Sequence, residues 1–244
     1  MAIDITSANT VSRTTAPAFD SAYTVMGWFS ADEINNNTYF QIRDNSSYYD
    51  TLQINSSGNL QGEVYYPAST WTSDVGSAIS TSDWYHISMV REDSSTLHGY
   101  INGVLSLTVS QAVARGTASE FNVGRLFGFD FSYEAWFNGR FAHIKTWQEA
   151  LTPEQIMAEM WSVMPRHYAN IWAWYPTFPN SGQRELDYSG AGRNLTIVGA
   201  VTDTPGVNIP WSFFTEEKYE TIAIAPASRI PRHGFSMFQV PALI

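Results

Sequence analysis

Short strand-like runs separated by turn signals recur along the chain and set its fold class. The strongest hairpin signal is Asn102-Gly103, because a type I′ turn requires positive φ at both central positions and two apolar runs flank this pair. Residues 56–58 (SSG) form a second short connection that ends in glycine. Between residues 22 and 147 the pattern predicts about ten strands. We therefore predict an all-β fold, an antiparallel jelly-roll β-sandwich.

One helix follows the last of these strands. Up to Trp147 the apolar residues alternate with a period of two, and the period then becomes helical. Thr152 is the expected N-cap, Pro153 fits the first helical position, and Gln155 completes a capping box. The sequence therefore predicts a single short capped helix near 153–162.

The chain divides into three predicted segments. Residues 1–21 are assigned to an N-terminal strand or arm. Residues 22–202 are assigned to the jelly roll, in which 170–202 supply further strands. Prolines recur through residues 203–244, and because proline disfavours paired interior strands, we predict an extended C-terminal arm there.

Five motifs follow one another between about residues 22 and 161. They are YTVMGWFS (23–30), INSSGNL (54–60), DWYHISMVR (83–91), GYINGVL (99–105) and FNGRFAHIKTWQEALTPEQI (137–156). In this order they resemble the laminin-G-like branch of the concanavalin A-like lectin/glucanase superfamily. The resemblance implies a jelly roll whose end is closed by the last strand and the helix.

The position of a further motif suggests a rearranged order. The segment WYPTFPNSGQRELDYSGAGRNLTIVGA (174–200) is similar to one that many family members carry at the front of the domain. Here it follows the helix, so the chain resembles a circularly permuted form found in bacteriophage structural proteins. This resemblance implies a virion protein assembled in the cytoplasm of a bacterial host. The lack of cysteine and of a signal-peptide pattern agrees with that expectation.

The charge balance restricts the classes of partner. The formal net charge is −10, and no cluster of lysine and arginine concentrates positive charge, so nucleic-acid binding is not expected. No apolar run approaches the length of a membrane span, so we predict no membrane association. The expected partners are other virion proteins or further copies of the chain, as a homo-oligomer, and host glycans.

The residues needed for known hydrolytic chemistry are missing from the sequence. Glucanases carry E-x-D-x-x-E or E-x-D-x-E on one strand, where alternation places the carboxyl groups on one face, and neither pattern occurs. The 5 histidines have none of the spacings that bind zinc. We therefore predict that the protein is not an enzyme and has no cofactor apart from a candidate calcium ion.

The calcium hypothesis depends on two aspartates. The family resemblance implies a calcium site at the rim of the sandwich, built from carboxylate and carbonyl oxygens. Asp130 precedes the closing strand, and Asp44 lies in another polar loop. The alternative is that Asp130 only caps a turn.

Aromatic residues in predicted loops are the candidate sugar-binding residues, because flat apolar rings pack against sugar C–H faces. Asn45 and Asp50 are candidates for hydrogen bonds to sugar hydroxyl groups. Packing in the core or at the rim is the alternative role for each aromatic residue. The candidates are Tyr48, Tyr49, Trp71, Tyr133 and Trp136.

The C-terminal arm carries a second hypothesis, docking onto a partner subunit through residues 212–244. Its apolar side chains contribute about 1.5–3 kcal/mol each when fully buried. The alternative is that this segment folds back over its own sandwich. The predicted anchors are Phe214, Phe235, Met237, Phe238, Val240 and Leu243.

These observations lead to two functional hypotheses. The first is a non-enzymatic phage virion protein, for capsid decoration or in the tail or fibre, that displays a lectin-like jelly roll and attaches through its arm. The alternative is a carbohydrate-binding module that recognises host surface glycans.

Overall fold

The computed structural model describes residues 2–5, 10–13, 16, 22–34, 37–44, 48–66, 70–110, 118–127, 134–177, 186–198, 202–207 and 209. The predicted docking segment 212–244 lies outside the described residues. Its anchors therefore stay a prediction: Phe214, Phe235, Met237, Phe238, Val240 and Leu243.

Seventeen strands and one helix make up the described chain. The strands are β1 (Ala2–Ile5), β2 (Thr10–Arg13), β3 (Tyr23–Ala31), β4 (Thr38–Arg43), β5 (Tyr49–Ile54), β6 (Asn59–Tyr66), β7 (Thr70–Ala78), β8 (Tyr85–Arg91), β9 (Thr96–Ile101), β10 (Val104–Ser110), β11 (Glu120–Val123), β12 (Arg125–Phe127), β13 (Glu134–Trp136), β14 (Gly139–Trp147), β15 (Ile171–Tyr175), β16 (Thr196–Val198) and β17 (Thr202–Thr204). The helix is α1 (Pro153–Met160). Within the described part of the chain, no helix has the length and apolar character to cross a membrane.

Two antiparallel sheets form the predicted sandwich, which confirms the all-β fold class. The 8-stranded sheet has the order β10-β9-β8-β3-β14-β1-β17, and β15 also pairs with β14. The 7-stranded sheet has the order β16-β2-β11-β4-β5-β6-β7. Strands β12 and β13 form a separate hairpin.

The core fills the space between the sheets with apolar side chains from alternate strand positions. Phe29 lies at its centre, with ring centroids 4.8 Å from Tyr39, 5.0 Å from Phe40 and 5.5 Å from Phe137. These rings are almost completely buried. The aromatic content thus serves the core first, as expected for strand-rich packing.

A buried ion pair connects the sheets inside the core. Asp50 on β5 accepts a hydrogen bond from the Tyr23 hydroxyl at 2.6 Å and pairs with Arg91 at 3.2 Å. Since Asp50 points inward, our prediction that it contacts sugar hydroxyl groups is wrong. Its carboxylate instead fixes β5 against β3 and β8.

Helix α1 packs on the outer face of the 8-stranded sheet. The predicted capping box is present, with both Thr152 and Gln155 hydrogen bonds formed. Ile156 is buried in a cluster with Met26 and Trp147 of the sheet. The periodic apolar face of the helix therefore finds the partner surface that amphipathic helices require.

Strands from both ends of the chain complete the two sheets. β1 pairs with β14 and β17, whereas β2 pairs with β11 and β16. The described parts of 1–21 and 170–204 thus contribute strands to the sandwich. The predicted segment boundaries and the permuted order stay predictions.

Candidate functional site

The outer face of the 7-stranded sheet carries a set of polar side chains. Phe121, Ile42 and Val64 point into the core, so residues next to them along β11, β4 and β6 point outward. Cross-strand pairing aligns these outward residues in two rows. We call the set the polar face; it consists of Thr38, Gln41, Thr51, Gln53, Gln61, Glu63 and Asn122.

The polar face lies below the molecular surface, and its side chains bond to one another. All of its residues are buried except Gln61, which is half-buried. The side-chain amides of Gln53 and Gln61 each donate to Glu63 Oε1 at 3.0 Å. The Asn122 amide donates to Gln41 Oε1 at 3.2 Å. These bonds fix the orientation of the amide and carboxyl groups.

Among the residues that the structure describes, three buried oxygen atoms of the polar face find no hydrogen-bond partner. They are Thr38 Oγ1, Gln53 Oε1 and Asn122 Oδ1. An unsatisfied buried polar atom costs about 1–3 kcal/mol, so a folded protein usually keeps such atoms for a reason. Acceptor atoms on one face suit a ligand that donates several hydrogen bonds, and sugars carry such hydroxyl groups.

Glu63 is the acidic group of this set. Its side chain is 4% exposed. Burial raises the pKa of Glu63 to about 7, because removal from water penalises the charged form. A carboxyl group with this pKa changes its charge near neutral pH, and it can then accept or donate a hydrogen bond.

Charged and aromatic groups adjoin one end of the polar face. Arg43 pairs with Glu120 at 2.9 Å, and burial lowers the pKa of Arg43 although Glu120 opposes that shift. The Arg125 guanidinium lies 4.4 Å from the ring centroid of Trp136. Arg43 also pairs across the strands with Tyr49. Around Arg43 the sheet therefore carries cationic, acidic and aromatic groups.

The structure places three of the five predicted aromatic candidates in strands. Tyr49 begins β5 and its ring stacks on Tyr65 with centroids 5.1 Å apart, and Trp71 lies opposite Tyr65 in β7. Trp136 ends β13. Our prediction that these residues lie in loops is wrong, because cross-strand pairing extends past the turn-like sequence. Tyr49 is only 5% exposed, and Tyr65 occupies one face of its ring.

The remaining candidates adjoin segments outside the described residues. Tyr48 is half-buried, and its backbone N–H donates to Asp44 Oδ1 at 3.0 Å. Tyr133, Asp130 and Asn45 lie outside the described residues. Among the residues that the structure describes, no group of three or more histidine, aspartate or glutamate side chains is placed to hold a metal ion.

Sequence reasoning missed the polar face because each of its residues looks ordinary in its own strand. One signal was present in NLQGEVYY, where Gln61 and Glu63 alternate with Leu60, Gly62 and Val64. This alternation identifies an outward polar face. It does not reveal that the face is buried or which residues of other strands lie beside it.

The β-sandwich fold agrees with comparisons to known proteins. The model of the concanavalin A-like lectin/glucanases superfamily matches residues 6–157. No curated protein sequence matches the chain. This match confirms the family resemblance that the sequence motifs predict.

Two solved structures share the fold at low sequence identity. A putative carbohydrate binding protein from Bacteroides ovatus ATCC 8483 is 18% identical, with a TM-score of 0.62. The match covers 84% of this chain and 61% of the Bacteroides chain. The native heptameric SAP-like pentraxin from Limulus polyphemus is 16% identical, with a TM-score of 0.57. The match covers 82% of this chain and 92% of the pentraxin chain. The chain thus spans less than two thirds of the Bacteroides protein.

Proposed function

The chain belongs to the concanavalin A-like lectin/glucanases superfamily, and we propose that it is a carbohydrate-binding protein whose ligand contacts the polar face. The observation that carries the proposal is the group of unpartnered acceptors, Thr38 Oγ1, Gln53 Oε1 and Asn122 Oδ1. Hydroxyl groups of a sugar would supply the missing donors. The description of the Bacteroides protein as carbohydrate-binding supports the same class of ligand.

The arrangement of carboxyl groups favours binding without hydrolysis. Glu63 on β6 and Glu120 on β11 are both on the outer face of the sheet, with β4 and β5 between them. Three strand spacings of about 4.8 Å place their backbones roughly 14 Å apart across the sheet, and Glu63 is also offset by two residues along its strand. Glycosidases place their two carboxyl groups about 5–9.5 Å apart. Glu120 is also paired with Arg43, so we propose no catalytic role for the pair.

The virion hypothesis has less support than the carbohydrate hypothesis. It depends on residues 212–244, which lie outside the described residues. The two similar structures come from Bacteroides ovatus and Limulus polyphemus. The virion location, the virion or self partners and the arm stay predictions. A carbohydrate-binding role does not require them.

A glycan array probed with the full-length chain tests the proposal, followed by calorimetric titration of each hit. Gln53→Leu and Asn122→Leu remove one unpartnered acceptor each. We expect each variant to weaken binding roughly two- to tenfold, which corresponds to about 0.5–1.5 kcal/mol for one hydrogen bond. The measurement is the Kd of the best glycan.

Gln148→Leu is the matched control, because it makes the same substitution at the end of β14, near the helix. Its affinity should equal that of the unmodified chain. The proposal would be contradicted by an array without binding, or by Gln53→Leu and Asn122→Leu variants that bind as tightly as the control.

A further inference from the structure

Glu63 is held in one orientation by two neighbouring amides. Gln53 on β5 and Gln61 on β6 both donate to Oε1, and neither of these bonds reaches Oε2. The amides therefore fix the plane of the carboxyl group. A ligand that approaches the polar face would meet a preoriented carboxyl oxygen, as recognition of hydroxyl groups requires.

Among the described residues, the groups next to Glu63 in the sheet are neutral. On β5 its neighbours are Thr51 and Gln53, and on β6 they are Gln61 and, two residues away, Tyr65. On β7 the opposite position is occupied by serine, and beyond β5 lies Gln41 on β4. Within the described residues Glu63 forms no ion pair, whereas Arg43 and Glu120 pair with each other on β4 and β11.

This arrangement discriminates between classes of sugar. A neutral sugar brings hydroxyl donors and leaves the charge of the site unchanged. An acidic sugar brings a second negative group beside a buried carboxyl group that no cation of the described residues neutralises. Like charges in a poorly hydrated site repel each other strongly, because water cannot screen them.

Building on the proposed function, we infer that Glu63 determines ligand class: the polar face binds an uncharged glycan whose hydroxyl groups donate to the Glu63 carboxylate, and it excludes acidic sugars. Hydrogen bonds from hydroxyl groups to an ionised carboxyl group are stronger than bonds between neutral groups. Glu63 is therefore a specificity-determining residue of this site.

Binding of a neutral glycan at Glu63 depends on pH. Hydroxyl donation stabilises the charged form, so a bound neutral glycan lowers the pKa of Glu63 from its value of about 7 in the free protein. By linkage, affinity for that glycan rises with pH through this range, and binding releases protons. An acidic glycan would give the opposite trend, because its binding favours the protonated carboxyl group.

Calorimetric titration of the full-length chain between pH 5.5 and pH 8.5 measures this linkage. The probes are neutral glucose and galactose oligosaccharides, with galacturonate oligosaccharides as the acidic counterparts. We expect the affinity for a neutral probe to rise about tenfold across this range, and acidic probes to bind more weakly at every pH. Repeating the titration in buffers of different ionisation enthalpy counts the protons released.

Glu63→Gln keeps the shape of the side chain and removes its titration. Its affinity should be independent of pH and should match the low-pH affinity of the unmodified chain. Glu92→Gln is the matched control, because Glu92 is an exposed carboxyl group after β8 of the other sheet. This control should keep the full pH dependence. If Glu63→Gln fails to fold, the proton count on the unmodified chain still decides the question.

The outcomes separate the two proposals. Neutral glycan binding that is flat or falls with rising pH overturns the role of Glu63 and leaves the carbohydrate function intact. Tighter binding of galacturonate than of neutral probes also overturns that role. Absence of binding to every sugar at every pH overturns the proposed function itself.

Discussion

Each of the two sheets carries a buried polar network, and the network around Lys145 on the 8-stranded sheet differs from the polar face in how its members are hydrogen-bonded. On the 8-stranded sheet, Lys145 Nζ donates to Glu159 Oε2 at 2.7 Å, to the Glu159 carbonyl at 2.9 Å and to the Ser162 carbonyl at 2.6 Å. Glu159 Oε1 accepts the backbone N–H groups of Arg166 and His167. On the polar face, three acceptor atoms have no partner among the described residues.

The difference separates a structural network from a candidate binding surface. The Lys145 network attaches α1 and the residues after it to the sheet, and each group is placed to satisfy another. The polar face has bonds that fix its side chains and retains acceptors that nothing among its own residues satisfies. Buried polar groups are therefore informative about function only after their hydrogen bonds have been assigned.

The largest expected effect is on stability and comes from the Lys145 network. Lys145→Met leaves the Glu159 carboxylate buried without its cation, since both side chains are almost fully inaccessible. Breaking a buried pair in this way costs roughly 3–5 kcal/mol. We expect a loss of this size in the free energy of unfolding, measured by urea denaturation at pH 7.

The double variant Lys145→Met/Glu159→Gln provides the control. It removes the uncompensated charge, so it should recover part of the lost stability. A loss below about 1 kcal/mol for Lys145→Met alone would mean that the network is not structural, and the contrast between the faces would disappear.

An intermediate effect on stability comes from Glu63 on the polar face. Its pKa rises from 4.5 to about 7 on folding, so the folded chain binds more protons than the unfolded chain between these values. Stability contributed by this group therefore falls as pH rises from 4.5 to about 7. The integrated change is about 3 kcal/mol at 1.36 kcal/mol per unit.

Urea denaturation at pH 5 and pH 8 measures this change without any glycan. The difference between the two pH values should be smaller in Glu63→Gln than in the unmodified chain, because the amide does not titrate. Equal differences in both proteins would show that Glu63 titrates at its ordinary pKa and that its burial has no electrostatic cost.

The smallest expected effect is the loss of an unpartnered acceptor. Asn122→Leu removes Oδ1, which has no partner, and one bond of 3.2 Å from the amide to Gln41. The first change removes the cost of an unsatisfied buried acceptor and the second takes a donor from Gln41 Oε1, so the two effects oppose each other. We expect the free energy of unfolding to change by less than about 1 kcal/mol.

This small effect sharpens the comparison with Lys145. If Asn122→Leu keeps its stability and loses glycan affinity, the polar face serves binding rather than folding. If it destabilises the protein as strongly as Lys145→Met does, the two faces are equivalent and the polar face is part of the structural framework.

The sequence predicted the elements of the fold better than it predicted the candidate site. The capping box at Thr152 and the hairpin at Asn102-Gly103 involve residues close together in the chain, so the local pattern contains the whole interaction. The predicted loop location of Trp71 failed because β6 pairs with β7 up to that position. Turn-like composition was outweighed by pairing with a neighbouring strand.

The sequence by itself determined which residues form strands and where the helix begins, because alternation, turn chemistry and capping act over a few residues. Only the tertiary structure decided which polar side chains share a face and which of their atoms lack partners. Asn122 and Gln41 are 81 residues apart in the chain and meet only because β11 pairs with β4. Strand order and register arise from packing of the whole sandwich, and so does the site that they create.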